Sequence, residues 1–296
     1  MKQIEMLQKA IDYVEEHMLE EIHFDDVAKH LNMSPYEFHR AFSFTSGMTL
    51  NAYIRNRRLS MAGQELVRTD KRIIDIAMKY GFDSHDGFTK AFTRFHGVAP
   101  KYAKEAGTQL VLFNPLVIKV SLEGGKKIDY RLEKKGKQRF LAIARTFPTE
   151  IIEEENNNDI SDFWEECYAN NRIEPMKALR DEKDDRIYGL CAPLTENETC
   201  FEYGIGVRLE NEVTCEEQTL LRTEEYRYWE TEPCTYAVFE CIGENGECIG
   251  EAWERFYQEY LPQSGYESCI ETDYEVYFDK DKKGVFCELW IPVKLY

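Results

Sequence analysis

A short pattern occurs twice in the first third of this chain, and it restricts the fold more tightly than anything else in the sequence. Ser34, Phe38, Ala41, Phe42 and Gly47 return 50 residues later as Ser84, Phe88, Ala91, Phe92 and Gly97. Upstream, Asp26-Val27-Ala28 returns as Asp75-Ile76-Ala77 at a spacing of 49, so the second turn is one residue longer. Each copy reads as a short helix, a tight turn and a second helix. Ser34 suits the N-cap of a helix that begins at Pro35, with Glu37 completing a capping box, and Ser84 takes the same place in the second copy. Phe38, Phe42 and Thr45 line one face of the first of these helices, and Phe88, Phe92 and Phe95 line one face of the second. Tyr36, His39 and Arg40, then His85, Asp86, Thr89 and Lys90, form the faces read as outward. Such polar faces suit a helix laid into a DNA major groove, although any solvated helix face carries similar residues.

A longer helix is expected between the copies, from about Leu50 to Val67, with Arg55, Arg57 and Arg58 on it. At ~1.5 Å per residue it is roughly 25 Å long, a reach that lets two reading helices meet successive major grooves ~34 Å apart. One chain then suffices for DNA, with a dimer still open.

The net charge of −18 over 296 residues argues against a nucleic-acid partner until it is located. Residues 1–107 hold 15 basic and 15 acidic residues, so the whole excess falls in 108–296. Within the first part, 38–107 carries 12 basic and 6 acidic residues. All six histidines precede residue 107, while all nine cysteines and all four tryptophans follow it. Two compositions imply two domains, 1–107 and 128–296, joined by a linker over 108–127. The chain has no run of eighteen apolar residues and opens on an acidic amphipathic stretch, so neither a membrane span nor a secretory leader is expected, and the cytoplasm is the expected location. No CxxC pair occurs, the cysteines are expected as free thiols, and nothing calls for a metal or a cofactor.

The second half also repeats. Tyr130-Arg-Leu…Phe140-Leu-Ala-Ile-Ala144 matches Tyr226-Arg-Tyr…Tyr236-Ala-Val-Phe239, Trp164 falls over Trp253, and Glu202 falls over Glu288. Each unit reads strand, helix, strand, strand, and Glu153–Asp159 reads as a solvated loop. The fold class is therefore multidomain: an all-α N-terminal domain with two helix-turn-helix modules, and an α+β C-terminal domain of two βαββ units with helices on one sheet face. On the last strand Val285, Cys287, Leu289 and Ile291 alternate toward the helices, leaving Phe286, Glu288 and Trp290 opposite. An edge glutamate and the counter-charge of an aromatic ligand site both fit that pattern.

The stretch Ile76-Ala-Met-Lys-Tyr-Gly-Phe-Asp-Ser-His-Asp-Gly-Phe-Thr-Lys-Ala-Phe-Thr-Arg-Phe-His-Gly-Val-Ala-Pro100, with Lys101-Tyr102 after it, resembles the signature of AraC/XylS-family transcription regulators. The resemblance covers residues 2–107 and implies double-stranded DNA as partner, two adjacent major grooves, and RNA polymerase. It places base contacts at Tyr36, His39, Arg40, His85, Asp86, Thr89 and Lys90, with Arg40 donating bidentately to guanine. Arg55, Arg57, Arg58, Arg94 and Lys101 are left for phosphate or for the protein itself. His39, His85 and Asp86 depart from the commonest choices of that family, so no operator sequence is implied.

Ala252-Trp253…Tyr260-Leu-Pro-Gln-Ser-Gly-Tyr266…Asp273-Tyr-Glu-Val-Tyr277…Glu288-Leu-Trp-Ile-Pro-Val293 resembles the GyrI-like small-molecule-binding domain of Rob-like regulators and other regulators of multidrug response. It covers 128–296 and implies a lipophilic, often cationic, effector with Glu288 as the acidic residue and Trp290, Trp253 and Tyr274 as neighbours. Glu202 holds the symmetric position, but Gly204 stands where Trp290 would, so that half reads as less aromatic. The expected function is a ligand-responsive, DNA-binding transcription regulator rather than an enzyme. The alternatives are a GyrI-like hydrolase using Glu288 beside Tyr274, a cysteine methyl acceptor (which would need a histidine in the same domain), and a regulator whose second domain binds only protein.

Overall fold

The computed structural model describes residues 2–105, 107–118, 127–149, 159–181, 184–194, 200–209, 219–223, 225–278, 282 and 284–295. Of the acidic loop expected over Glu153–Asp159, residues 153–158 lie outside the described residues, as does the Gly124-Gly125 pair, and Asp159 is the first residue of a helix. The chain divides into two compact units, 1–122 and 123–296.

In the first unit, α1 (Lys2–Glu16) precedes the module α2 (Phe24–His30) and α3 (Pro35–Ser46). The connector α4 (Leu50–Arg68) leads to the second module, α5 (Ile73–Lys79) and α6 (His85–His96). The boundaries follow local chemistry. Ser34 Oγ accepts from Glu37 N at 3.2 Å and Glu37 Oε2 accepts from Ser34 N at 3.3 Å, which is the capping box read from the sequence. Ser84 Oγ accepts from Gly87 N at 3.1 Å, and Gly47 and Gly97 end the two twelve-residue helices with φ of 71° and 76°. The second turn is longer by one residue, as the spacing requires, and Gly81 within it has φ of 78°. Phe88 and Phe92 are buried with Leu59, Leu66 and Ile76, so the rear of α4 and the second module share one core.

Residues 108–118 form neither helix nor strand, yet they belong to this unit. Val111 N donates to His96 Nδ1 at 3.1 Å, Phe113 N to Ser60 Oγ at 2.9 Å, Leu116 N to the Tyr53 hydroxyl at 3.2 Å and Ile118 N to Gln8 Oε1 at 2.9 Å. Arg57 Nη1 donates to the Phe113 carbonyl at 2.5 Å. The first part of the expected linker is thus a strap, with its backbone polar groups met by side chains of α1, α4 and α6.

The second unit is one antiparallel sheet in the order β1-β6-β9-β8-β3-β4-β2-β5. Its strands are β1 (Arg131–Lys135), β2 (Gln138–Pro148), β3 (Arg186–Pro193), β4 (Cys200–Arg208), β5 (Arg227–Thr231), β6 (Cys234–Ile242), β7 (Tyr266–Ser268), β8 (Asp273–Phe278) and β9 (Val285–Leu295), with β7 paired to the end of β9. The order is palindromic under the repeat. Each half contributes a short strand and a long strand, then α7 (Asp159–Ala169) or α9 (Glu247–Arg255), then two equivalent strands; the first half adds α8 (Glu174–Lys177), a further turn of helix, and the second adds the short β7. The expectation of strand, helix, strand, strand lacked the short strand. That strand is exchanged: β1 pairs with β6 of the second half, and β5 with β2 of the first.

The sheet curls. Four strand steps separate β5 from β8, about 19 Å on a flat sheet at ~4.8 Å per step. Yet Trp229 Nε1 on β5 donates to Thr272 Oγ1, the residue before β8, at 3.1 Å. One face packs on helices, as where Trp164 of α7 donates to Tyr203 at 2.9 Å and Phe239 meets Phe256 after α9. The other face lines the inside of the curl with Phe140, Tyr188, Trp229, Tyr236, Tyr274 and Trp290.

Candidate DNA-reading and ligand-binding sites

The two reading helices present their polar faces differently. On α6, His85, Asp86 and Lys90 are exposed and Thr89 is half-buried. On α3, Tyr36, His39 and Arg40 are buried, which corrects the outward face expected for them. Arg40 Nη1 donates to the Tyr36 hydroxyl at 2.5 Å with the guanidinium 5.1 Å from that ring, and His39 lies 5.4 Å from Phe24. A spacing of four along a helix lets the arginine and tyrosine satisfy one another.

The connector arginines divide by role. Arg57 forms a two-point pair with Glu15 at 2.7 Å, and Arg58 donates to the carbonyls of Met18 and Glu20, so both serve the protein itself. Burial alone would raise the Glu15 carboxyl, but hydrogen bonds from Arg57 and Tyr53 outweigh it and hold the group below its ordinary value. Arg55, Arg94 and Lys101 are exposed.

In the second unit, Glu288 sits on β9 within the curl and is 3% exposed. Register explains its surroundings: Arg131 of β1 lies opposite Val238, which lies opposite Trp290, two residues beyond Glu288. Arg131 reaches Glu288 through both terminal nitrogens, at 3.0 and 2.5 Å. Lys282 Nζ adds a contact at 3.0 Å and Trp290 Nε1 one at 3.2 Å. Burial would raise this carboxyl, but the hydrogen bonds and charges of Arg131 and Lys282 outweigh it and hold Glu288 below its ordinary value. Trp290 stacks on Tyr274 at 5.4 Å, and Tyr236 lies 4.9 Å from Tyr274. The Tyr236 hydroxyl is buried and hydrogen-bonds the Tyr274 side chain.

Tyr274 and Trp290 therefore join Glu288 as expected, and Trp253 does not. Trp253 lies on α9, stacked on Tyr257 and edge-on to Phe256, whose ring meets Phe239 on the helix-covered face. Phe286 also leaves the group, because a bulge at Cys241/Ile242 breaks the alternation and its ring meets Tyr277 on the helix-covered face at 5.6 Å. The symmetric half is more aromatic than the sequence indicated. A Cβ on Gly204 would lie 3.0 Å from Trp229, which fills that space from β5. Arg227 pairs with Glu202 and sits 5.3 Å from the Trp229 ring, as Arg131 sits 5.4 Å from Trp290. Sequence reasoning missed Arg131, Arg227 and Trp229. The signal was present in the repeat itself, which aligns Arg131 with Arg227 beside the matched glutamates.

Among the described residues no group of histidine, cysteine or carboxylate side chains has the geometry to hold a metal ion, and no helix is long and apolar enough to cross a membrane. The family model for the integron-associated effector binding protein matches residues 132–293. The chain belongs to this family. A helix-turn-helix model matches residues 27–105, so the family's effector-binding domain is here joined to an AraC-type DNA-binding domain. The transcriptional activator AarP of Providencia stuartii is 33% identical over 118 residues, which are 39% of this chain and 87% of AarP. SoxS of Salmonella typhimurium is 37% identical over 30% of this chain and 84% of its own length. Against the regulator YbfP of Bacillus subtilis, 40% identical, the chain spans only 32% of the relative's length. Among solved structures, an integron cassette protein of Vibrio cholerae aligns with a TM-score of 0.40 at 16% identity, over 56% of this chain and 95% of that one. SAV2435, solved with tetraphenylphosphonium, aligns with a TM-score of 0.46 at 20% identity over 56% and 94%.

Proposed function

We propose that this effector-binding family member is a DNA-binding transcription regulator whose second unit senses a small lipophilic cation on the aromatic inner face of its curled sheet. The observation that carries this reading is the carboxyl group of Glu288 buried beside Trp290 and Tyr274. A flat cation gains ring contact there and a counter-charge, provided it displaces the Arg131 and Lys282 groups that now neutralise Glu288. Non-catalytic sensing fits this geometry better than hydrolysis. Every oxygen of Glu288 is engaged by cations or an indole N–H, and burial pushes the Tyr274 hydroxyl far above its ordinary value, so neither serves as acid or base near neutral pH.

In the first unit, Lys90, His85, Asp86 and Thr89 read base edges directly, while Tyr36, His39 and Arg40 do so once Arg40 exchanges its present partners for DNA. Double-stranded DNA over two grooves, contact with RNA polymerase and a cytoplasmic location complete the reading, with one chain sufficient for DNA.

The test titrates the full chain with a panel of aromatic cations and their neutral isosteres, with and without duplex DNA. Wild type should prefer the cations and change its DNA affinity when loaded, and Glu288→Gln should weaken the cations by about ten-fold, or ~1.4 kcal/mol, but not the neutral compounds. Equal binding of cations by wild type and Glu288→Gln would overturn the assignment of Glu288.

A further inference from the structure

Two thiols that the sequence separates by 35 residues meet at the rim of the curled sheet. Cys234 opens β6, and Cys269 follows β7 in the segment that leads to β8. Their sulfurs lie 3.8 Å apart, and both residues are partly exposed. A disulfide needs about 2.05 Å between sulfurs, so side-chain rotation and a small shift of an exposed segment close the gap.

The two thiols are not equivalent. As a thiol Cys234 donates to the Thr235 carbonyl at 3.3 Å, and as a thiolate it accepts from the Cys269 thiol and from the Val293 N–H. The Cys269 hydrogen bond holds Cys234 below the ordinary thiol value, and Cys269, facing that sulfur and Glu271, is pushed up. One sulfur is thus prepared to attack and the other to resolve. A second pair makes a contrast within the same unit. Cys241 and Cys287 are directly opposite in the β6–β9 register, but both are fully buried, and the Cys287 thiol is pushed far up.

We propose that Cys234 and Cys269 form a reversible intramolecular disulfide with a peroxide as oxidant. The Cys234 thiolate attacks one peroxide oxygen, an S–O bond forms, the O–O bond breaks, and hydroxide leaves and is protonated to water. The Cys269 sulfur then gives up its proton and attacks the Cys234 sulfenic sulfur, forming S–S while the S–O bond breaks and a second water leaves. Two thiols lose two electrons and one hydrogen peroxide gains them. The crosslink would tie the start of β6, which packs on the aromatic inner face, to the segment ending at Thr272, which accepts the Trp229 indole.

The experiment treats the folded full chain with hydrogen peroxide near stoichiometry, caps remaining thiols with a maleimide, and maps the peptides by mass spectrometry. The expected result is a Cys234–Cys269 crosslinked peptide that dithiothreitol removes, together with a rise in Tm of the oxidised chain, because a 35-residue loop is closed. In Cys269→Ser, which lacks the resolving thiol, dimedone should label Cys234. Maleimide on both Cys234 and Cys269 after the treatment, or a crosslink that joins other cysteines or two chains instead, would overturn the proposal. Mapping the peroxide-treated wild-type chain keeps the test decisive even if Cys269→Ser folds poorly.

Discussion

Gly81 shows how much one position can fix. Its φ of 78° is the left-handed region, and a Cβ there would come 2.5 Å from Arg58 Nη1. Gly81→Ala should therefore destabilise the first unit by about 1–2 kcal/mol, read as a lower urea midpoint at unchanged slope. Glu288 carries a pH signature. Its folded pKa lies below the ordinary 4.5, so its pairing stabilises the protein fully above that value and the contribution is lost as pH falls through the lowered one. Glu288→Gln should flatten the acid limb of a Tm profile measured from pH 6 to 2. The serine caps were legible because the forces behind them act within four residues. Arg131 beside Glu288 was not, since 157 residues separate them and only the placing of β1 next to β6 brings them together. Trp229 over Gly204 was hidden for the same reason, and Tyr36, His39 and Arg40 show that helical period finds a face without saying what covers it.

Among the elements, the strap over 108–118 has the most to test. Its backbone takes part in five hydrogen bonds from or to Gln8, Tyr53, Arg57, Ser60 and His96. A first unit ended after Gly107 should lose about 2.5–7.5 kcal/mol against one ended after Leu122, at roughly 0.5–1.5 kcal/mol per bond, in chemical denaturation. His96 adds a pH dependence. Burial lowers its pKa below 6.5 although the Leu59 carbonyl opposes this, and Nδ1 accepts from the strap while Nε2 donates to Leu59. The neutral ring is the one that fits, so its contribution is present above pH 6.5 and fades as pH drops from there toward the lowered value. Wild type should lose Tm between pH 7 and 5 more steeply than His96→Gln. The sequence placed this stretch in a linker because side chains, rather than a strand or helix pattern, satisfy its backbone.

For the whole molecule, charge separates the two tasks. The excess of −18 lies entirely beyond residue 107, so DNA affinity should rest on the exposed cations of the first unit, with a salt slope set by how many of them meet phosphate. Arg94→Ala, at an exposed site, should weaken all duplexes alike and reduce the log–log salt slope by about one, whereas Lys90→Ala should cost about 1–3 kcal/mol of discrimination at one base pair. Competition binding against a randomised duplex pool separates the two outcomes.

The exchange of β1 and β5 has a consequence for how the second unit is made. Arg131 on β1 pairs at Val238, so the first strand waits for more than a hundred later residues before it finds its place. Neither repeat can finish alone: each would emerge from synthesis with a bare sheet edge where its twin's arm belongs. Severed between the repeats, the two pieces should be inert apart and reassemble when mixed.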